Sequence, residues 1–490
     1  AGLENIVMLK LGRNIDARNV LDEYRRDPAV EYAELNRKVR IHAAALPETY
    51  YLAVTAYDTA GQQSDYSPAA SVMFQPPCDP YAASTGSWGQ AYRDMWGAQR
   101  IDAAGAWSVE TGSADVVVAV VDTGVDSTHP DLTSNIFTNS DEVPDNGIDD
   151  DGNGYVDDVH GWDFIGSDFA APVEDNDPVD GKGHGTHVAG IIAAGGDNYE
   201  GIAGVSWHSR ILPVKALDDS GCGTIVSLAS AIMYAADNGA RVINNSWGGY
   251  GFSQTVSDAV DYAYGQGAVV VASAGNEAAD AVTVTPANCV NTITVGAIDP
   301  DDAPASYSNW GEMIDVVAPG TDILSLRAAG TGVAAKAVDG IYYRMDGTSM
   351  AAPFVSGLAA LILAHDPSLT PDVVRQIIVS TAEDMGPAGR DNFFGYGLID
   401  AAAALAAVTP PLARIVSPGA YGYVTGTIDI VGTAAGNGFD GFTLEYGRGY
   451  APSVWNAIPA AGGAAVESGV LAAWNTAALE EGVWTLRLRV

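Results

Sequence analysis

The sequence predicts an α/β fold, a parallel sheet flanked by helices, with a small α+β segment ahead of it and a β-sandwich-like domain behind it. Three observations carry that expectation. VVVAVV before Asp122 and GAVVVASAG before Asn276 are short, continuous apolar runs, the mark of strands buried on both faces. HGTHVAGIIAAG and SMAAPFVSGLAALILAH are longer apolar stretches rich in small residues, suited to helices packed closely on such a sheet. After a TPP and PL break, IVSPGAYGYVTGTIDIVGTA, FTLEYGRG and GVWTLRLRV are short β-branched or aromatic runs separated by turns. A chain of 490 residues is long for one core, so two or more domains are expected.

Residues 4 to 41 read as a strand (Asn5 to Leu11), a helix (Asp16 to Arg26) and a strand (Val30 to Ile41). The central part follows from about residue 78 to 408, and the β-rich part occupies 409–490. With 23 basic and 61 acidic residues the formal charge is −38, which argues against binding nucleic acid or an anionic membrane and favours solubility and cations. No run of eighteen or more apolar residues free of polar breaks is present, so no membrane span is expected.

Three separated segments supply complementary chemistry: VVDTGVDSTHPDL around Asp122, GHGTHVAG around His184 and GTSMAAP around Ser349. A carboxylate, an imidazole and a hydroxyl are what is needed to make a serine nucleophilic at neutral pH. Asp122 ends a strand, and ligands of open α/β sheets sit beyond the carboxyl ends of strands. Ser349 opens an apolar helix whose free N–H groups and positive end would face the reacting centre, although an isolated serine there would simply cap the helix. Asn276 follows another strand and could offer an amide to a developing oxyanion, although asparagine is also an ordinary turn residue.

The order Asp, His, Ser and the residues flanking each one resemble a subtilisin-like serine protease (subtilase), over roughly residues 78 to 408. The resemblance implies that His184, the first histidine of HGTH, is catalytic and that His187 is structural. It implies that Ser246, Trp247 and Gly248 pair with an extended polypeptide substrate, and that Ser273, Ala274, Gly275 and Asn276 wall the primary specificity pocket. Val284 falls where a glycine commonly floors that pocket, which leaves the P1 preference open. RRDPAVEYAEL resembles the end of an inhibitor propeptide, so residues 1–45 are expected to be a propeptide remnant that inhibits its own enzyme, and removal up to about Cys78 is expected. Residues 46–77 resemble the last two strands of a fibronectin type III domain, YYLAVTAYD pairing with SPAASVMF.

Calcium is the expected cofactor. Asp149, Asp151, Asn153 and Asp157, with the Tyr155 carbonyl, match the first part of a D-x-[DN]-x-[DN]-G loop, but His160 stands where an EF-hand has its bidentate glutamate. Resemblance to the thermitase branch implies a second ion shared by Asp79, Asp131 and Asp197 or Asn198, and Asp177 with Asp180 form a weaker third candidate. Of three cysteines, Cys222 (SGCGT) and Cys289 (TPANC) are expected by resemblance to form a disulfide, with three separate buried thiols as the alternative. A secreted, monomeric, calcium-stabilised endopeptidase is the leading reading. The alternatives are a pseudoprotease or surface module acting through its β domains, and an acyl hydrolase of another kind, since the same three groups cleave esters.

Overall fold

The computed structural model describes residues 7–10, 30–36, 51–56, 77–332, 336–407, 410–419, 422–449, 452–459 and 464–490. The chain divides into two compact units, Ala1–Met73 and Phe74–Val490.

In the first unit, strands β1 (Val7–Lys10), β2 (Val30–Asn36) and β3 (Tyr51–Ala56) form an antiparallel sheet in the order β1-β3-β2. The two strands expected of the leader are therefore joined through YLAVTA, which lies between them with Val54 opposite both Val7 and Ala33. The expected helix Asp16 to Arg26 and the SPAASVMF partner strand lie outside the described residues.

The second unit is built on seven strands: β4 (Val117–Asp122), β5 (Trp162–Asp163), β6 (Arg210–Lys215), β7 (Val242–Asn245), β9 (Val269–Ser273), β11 (Thr292–Ile298) and β12 (Val316–Pro319). They pair in the order β12-β11-β9-β7-β4-β6-β5, every neighbour parallel. β4 is the point where the order reverses, since β6 pairs on one side of it and β7 on the other. A crevice opens beyond the carboxyl ends of strands at such a reversal. The apolar runs read from the sequence are these strands, and β7, β9, β11 and β12 are buried throughout.

Helices cover both faces. On one lie α1 (His184–Ala193) and α4 (Thr348–His365), in one apolar cluster with Val118, Val120 and Val271. On the other lie α2 (Ile225–Asp237) and α3 (Gln254–Gly265), packed with Ala119, Val121 and Val270. The alternation Val118/Ala119/Val120/Val121 between the two clusters is the period of a strand with two buried faces. Short elements complete this body: β8 (Gly249–Tyr250) pairs with β10 (Val284–Thr285), and β13 (Ile323–Leu326), β14 (Ala337–Val338) and β15 (Tyr342–Met345) form a small antiparallel sheet. α5 (Pro371–Thr381) follows.

By length and composition α4 could cross a bilayer, but 83% of it is buried inside this body, as a core helix is. A Leu358→Ala or Leu361→Ala change there would cost about 2–5 kcal/mol, because the core around each side chain cannot collapse onto the cavity.

The last part contains β16 (Leu412–Ser417), β17 (Thr427–Ala435), β18 (Thr443–Arg448), β19 (Asn456–Ile458), β20 (Val466–Asn475) and β21 (Trp484–Arg489). They form two antiparallel sheets, β16-β17-β20 and β19-β18-β21, around Ile430, Leu444, Ile458, Leu471 and Trp474. Arg414 fastens β16 to the body built on the parallel sheet: its guanidinium donates to Tyr264 Oη at 2.7 Å and to the Val290 carbonyl at 3.1 Å, and pairs with Asp372.

The expected Cys222–Cys289 disulfide is absent; both are free thiols. Cys289 is turned into the apolar cluster that holds Val256, Val260 and Ala263, whereas Cys222 stands exposed in the loop after β6 with its N–H tied to Asp218. One sulfur faces the core and the other water, and the two are not bonded. Burial pushes the Cys289 thiol up to about 12, which leaves it protonated and unreactive at neutral pH.

Candidate active site

Asp122 is the last residue of β4 and has no exposed surface. Its Oδ1 accepts from the Thr123 N–H at 2.7 Å and lies 2.7 Å from His184 Nδ1. A carboxylate has no hydrogen to give, so Nδ1 carries the proton and Nε2 is left as the basic atom. His184 is the first residue of α1, and Gly185 lets that helix start against the β4 loop: a Cβ there would lie 2.1 Å from the Gly124 carbonyl oxygen. Burial alone would push the imidazole down, but the charge and hydrogen bond of Asp122, with Asp180 behind it, outweigh this and hold His184 above its ordinary value. His187 is wholly buried, and Nε2 lies 3.0 Å from the carbonyl oxygens of both Ile323 and Tyr343, so it is the donor there. Burial drives His187 down to about 3, which keeps it neutral and structural.

Ser349 is the second residue of α4. Pro353, four residues on, has no N–H to donate back to the Ser349 carbonyl, and Ser246 Oγ takes that role at 2.8 Å. In return Ser349 Oγ donates to the Ser246 carbonyl at 3.0 Å. The proline of GTSMAAP thus frees one carbonyl, and that carbonyl ties the serine to the end of β7. Asn276 Oδ1 accepts from the N–H and the hydroxyl of Thr348, at 2.9 and 3.0 Å, which fixes the amide and turns Nδ2 toward the space beside Ser349.

That space is a cavity of about 180 Å³ lined by Trp247, Gly248, Ser273, Gly275, Asn276, Val284 and Ser349, together with Gly249, Tyr250 and Glu277. Six of the residues expected to meet substrate are therefore at one place. Ser246 is bonded to Ser349 but is itself buried, and Ala274 turns its side chain into the core with its N–H spent on Val295. The indole of Trp247 is also buried, which leaves its backbone for pairing. Glu277 escaped the sequence reading although it adjoins Asn276; its Oε2 accepts from the Asn276 N–H and from Asn309 Nδ2, at 2.9 and 3.0 Å.

The Subtilase family model matches residues 113–397, which contain all three motifs and more than half of the chain. This chain is a subtilase. It is similar to a thermophilic serine proteinase of Bacillus sp. (strain AK1), 42% identical over 295 residues, spanning 60% of this chain and 63% of that protein. It is also similar to thermitase of Thermoactinomyces vulgaris, 37% identical over 325 residues, 66% of this chain and 97% of thermitase. Among solved structures it resembles a protease of Pseudoalteromonas arctica, with 32% identity, a TM-score of 0.56, and coverage of 68% of this chain and 99% of that one.

Two acidic centres of this subtilase lie away from the serine. Asp79 accepts from the N–H groups of Asp197 and Asn198 at 2.9 and 3.0 Å, and Asp131 accepts from Asn198 Nδ2 at 2.8 Å, so all four residues meet. Burial pushes Asp79 up to about 6, with the charge of Asp197 adding to it, and Asp131 up to about 7, with the charge of Asp79 adding to it. In the acidic loop the carboxylates that converge are Glu142, Asp151 and Asp158, their nearest oxygens within 4.8 Å of one another. Of the expected loop ligands only Asp151 is among them. Asp149 accepts from Gly152, Asn153 and Gly154, and Asp157 from Asn146 and Gly147, which closes the loop on itself. The Asn153 carbonyl oxygen of the side chain accepts from Tyr155 N–H, and the Tyr155 ring packs on Trp162, Phe164 and Tyr234. Asp177 is exposed, its N–H given to Asp175.

Proposed function

We propose that this chain is a secreted serine endopeptidase that cleaves polypeptides through Ser349, His184 and Asp122. The observation that carries the reading is the 2.7 Å contact between Asp122 Oδ1 and His184 Nδ1, which leaves Nε2 as the basic atom. Ser349 Oγ turns from the Ser246 carbonyl, gives its proton to His184 Nε2 and attacks the scissile carbonyl. Asn276 Nδ2 and the Ser349 N–H take the charge on the oxyanion. His184 then passes the proton to the departing amine, an ester to Ser349 remains, and a water activated by His184 hydrolyses it. The helix end at Ser349 adds a positive dipole to the same point. The cavity receives the P1 side chain, and Val284, in place of a smaller residue, shortens it toward small or medium apolar groups.

All-oxygen donor sets of this density suit calcium. Asp79, Asp131, Asp197 and Asn198 would hold one ion and Glu142, Asp151 and Asp158 another; bound there, calcium would relieve the repulsion of buried carboxylates and stabilise the fold. The first unit, residues 1–73, is the inhibitory leader in this reading, and the C-terminal sheets form an accessory module.

The deciding experiment compares the chain with its Ser349→Ala variant on denatured casein and with a serine-directed phosphonylating reagent. Loss of hydrolysis and of the mass adduct on residue 349 is expected. Casein hydrolysis near the unaltered rate in the variant would end this mechanism.

A further inference from the structure

Asp180 was expected to help hold a metal, but its surroundings leave no lone pair for one. Its carboxylate is 4% exposed and accepts five hydrogen bonds. Oδ1 takes them from Thr123 Oγ1 at 2.8 Å, Lys182 N–H at 3.0 Å and Gly183 N–H at 2.7 Å. Oδ2 takes them from the N–H and hydroxyl of Thr186, at 2.9 and 2.7 Å. Three of the partners are backbone N–H groups, which can only donate, and they favour the ionised form. Burial pushes this carboxyl above its ordinary value while the donors pull it back.

The donors come from the two elements that must be held together. Gly183 and Thr186 are the cap and first turn of α1, whose first residue is His184. Thr123 follows Asp122, and its hydroxyl also accepts from the Gly185 N–H at 3.0 Å. The cap residue Gly183 has no side chain to satisfy the free N–H groups of α1, and Asp180 supplies the missing oxygens from three residues upstream.

We propose that Asp180 is a positioning residue: it joins the end of β4 to the start of α1 and so sets the distance and angle between Asp122 and His184. This rests on the Asp122–His184–Ser349 reading given above. It also makes Asp180 a second negative charge felt by the imidazole. The other charged or titratable groups around His184 are Asp122 at the end of β4, Lys182 in the loop before α1, and neutral His187 on α1, itself faced by Asp346 ahead of α4. Around Asp180 and Thr123 stand Lys215, whose Nζ donates to the Thr123 carbonyl and to Asp219 at 2.9 Å, and Asp126, whose N–H donates to Thr186 Oγ1 at 2.9 Å.

Asp180→Asn keeps the shape but puts an NH2 among donors. The expected result is a fall of about 10²-fold in kcat per active site titrated with the phosphonylating reagent, with KM for a peptide substrate little changed, because a misplaced base costs rate and not binding. In the Ser349→Ala background, NMR titration should find the His184 pKa lower in Asp180→Asn than without it. Unaltered kcat per titrated site together with an unaltered His184 pKa would overturn the proposal. Should Asp180→Asn fail to fold, Thr123→Val removes only the tether: reduced kcat restored by Thr123→Ser supports the proposal, and wild-type kcat in Thr123→Val overturns it. The NMR arm uses protein that does not turn over, so a failure of the hydrolytic reading would leave it intact.

Discussion

Asp122 and Asp131 flank one short loop and are equally hidden from water, 0% and 1% exposed. Asp122 accepts from one backbone N–H and from the Nδ1–H of His184, a group that can take up a positive charge. Asp131 meets Asn198, the Ile202 N–H and Tyr342, all neutral, with Asp79 close enough to raise it further. A buried carboxylate must be neutralised by protonation, by an imidazolium or by a bound cation. In the first centre the carboxylate bonds a base that can move a proton; in the second it bonds only an amide, a backbone N–H and a phenol. In the proposed reading one serves chemistry and the other a cation, although the same residue type lies at the heart of both.

The sharpest way to break this contrast is to neutralise each acid in turn. Asp122→Asn should cut kcat by about 10⁴-fold, the size of the effect when an orienting carboxylate of a serine protease is lost, while the melting temperature of the Ser349→Ala background moves little. Asp131→Asn should do the reverse: a kcat per active site near wild type in excess calcium, with a lower melting temperature. Equal losses of rate from both would erase the distinction.

Removing the ion is the next largest effect. At a calcium concentration 100 times the dissociation constant each site stabilises by about 2.7 kcal/mol, so chelation should lower the melting temperature of Ser349→Ala by several degrees. That gap should shrink in Asp131→Asn and in Glu142→Gln. A melting curve identical in calcium and in EGTA would remove the case for both sites.

The smallest effect sharpens the first centre alone. His184 must be neutral to accept the serine proton, and it is held above the ordinary histidine value of about 6.5. The acid limb of kcat/KM should therefore lie above that pH, activity falling as pH drops through it. A limb below 6.5 would mean that burial, not Asp122, governs the imidazole.

Local sequence determined a large part of this molecule. The strands β4 and β9, the helices α1 and α4 and the groups at their ends were legible because continuous apolar runs and small-residue stretches report burial within a few residues. Asp122 and Asn276 drew attention at the ends of apolar strands, while the choice of His184 and Ser349 rested on the motifs HGTH and GTSMAAP and their resemblance to those of subtilases. Spacing also drew attention to Asp180, as a metal ligand and not as the acceptor of five hydrogen bonds.

What only the tertiary structure decided are the partnerships made over long separations. Four of the five donors to Asp180 come from Lys182, Gly183 and Thr186 close by in the chain, but the fifth, Thr123, lies 57 residues away, and it is this bond that ties α1 to the end of β4. Glu142 and Asp158 join Asp151 because the acidic loop folds back on itself, a closure carried by backbone hydrogen bonds to Asp149 and Asp157. Cys222 and Cys289 sit in motifs that suggest a bridge, yet the packing of Cys289 beside α3 sends its sulfur inward. YLAVTA carries the alternation of a strand but nothing that selects its neighbours, and the sheet places it between β1 and β2. Residue type and local period fix what a segment can become; the pairing of distant backbone and side-chain groups, each satisfied only by its actual neighbours, decides what it does.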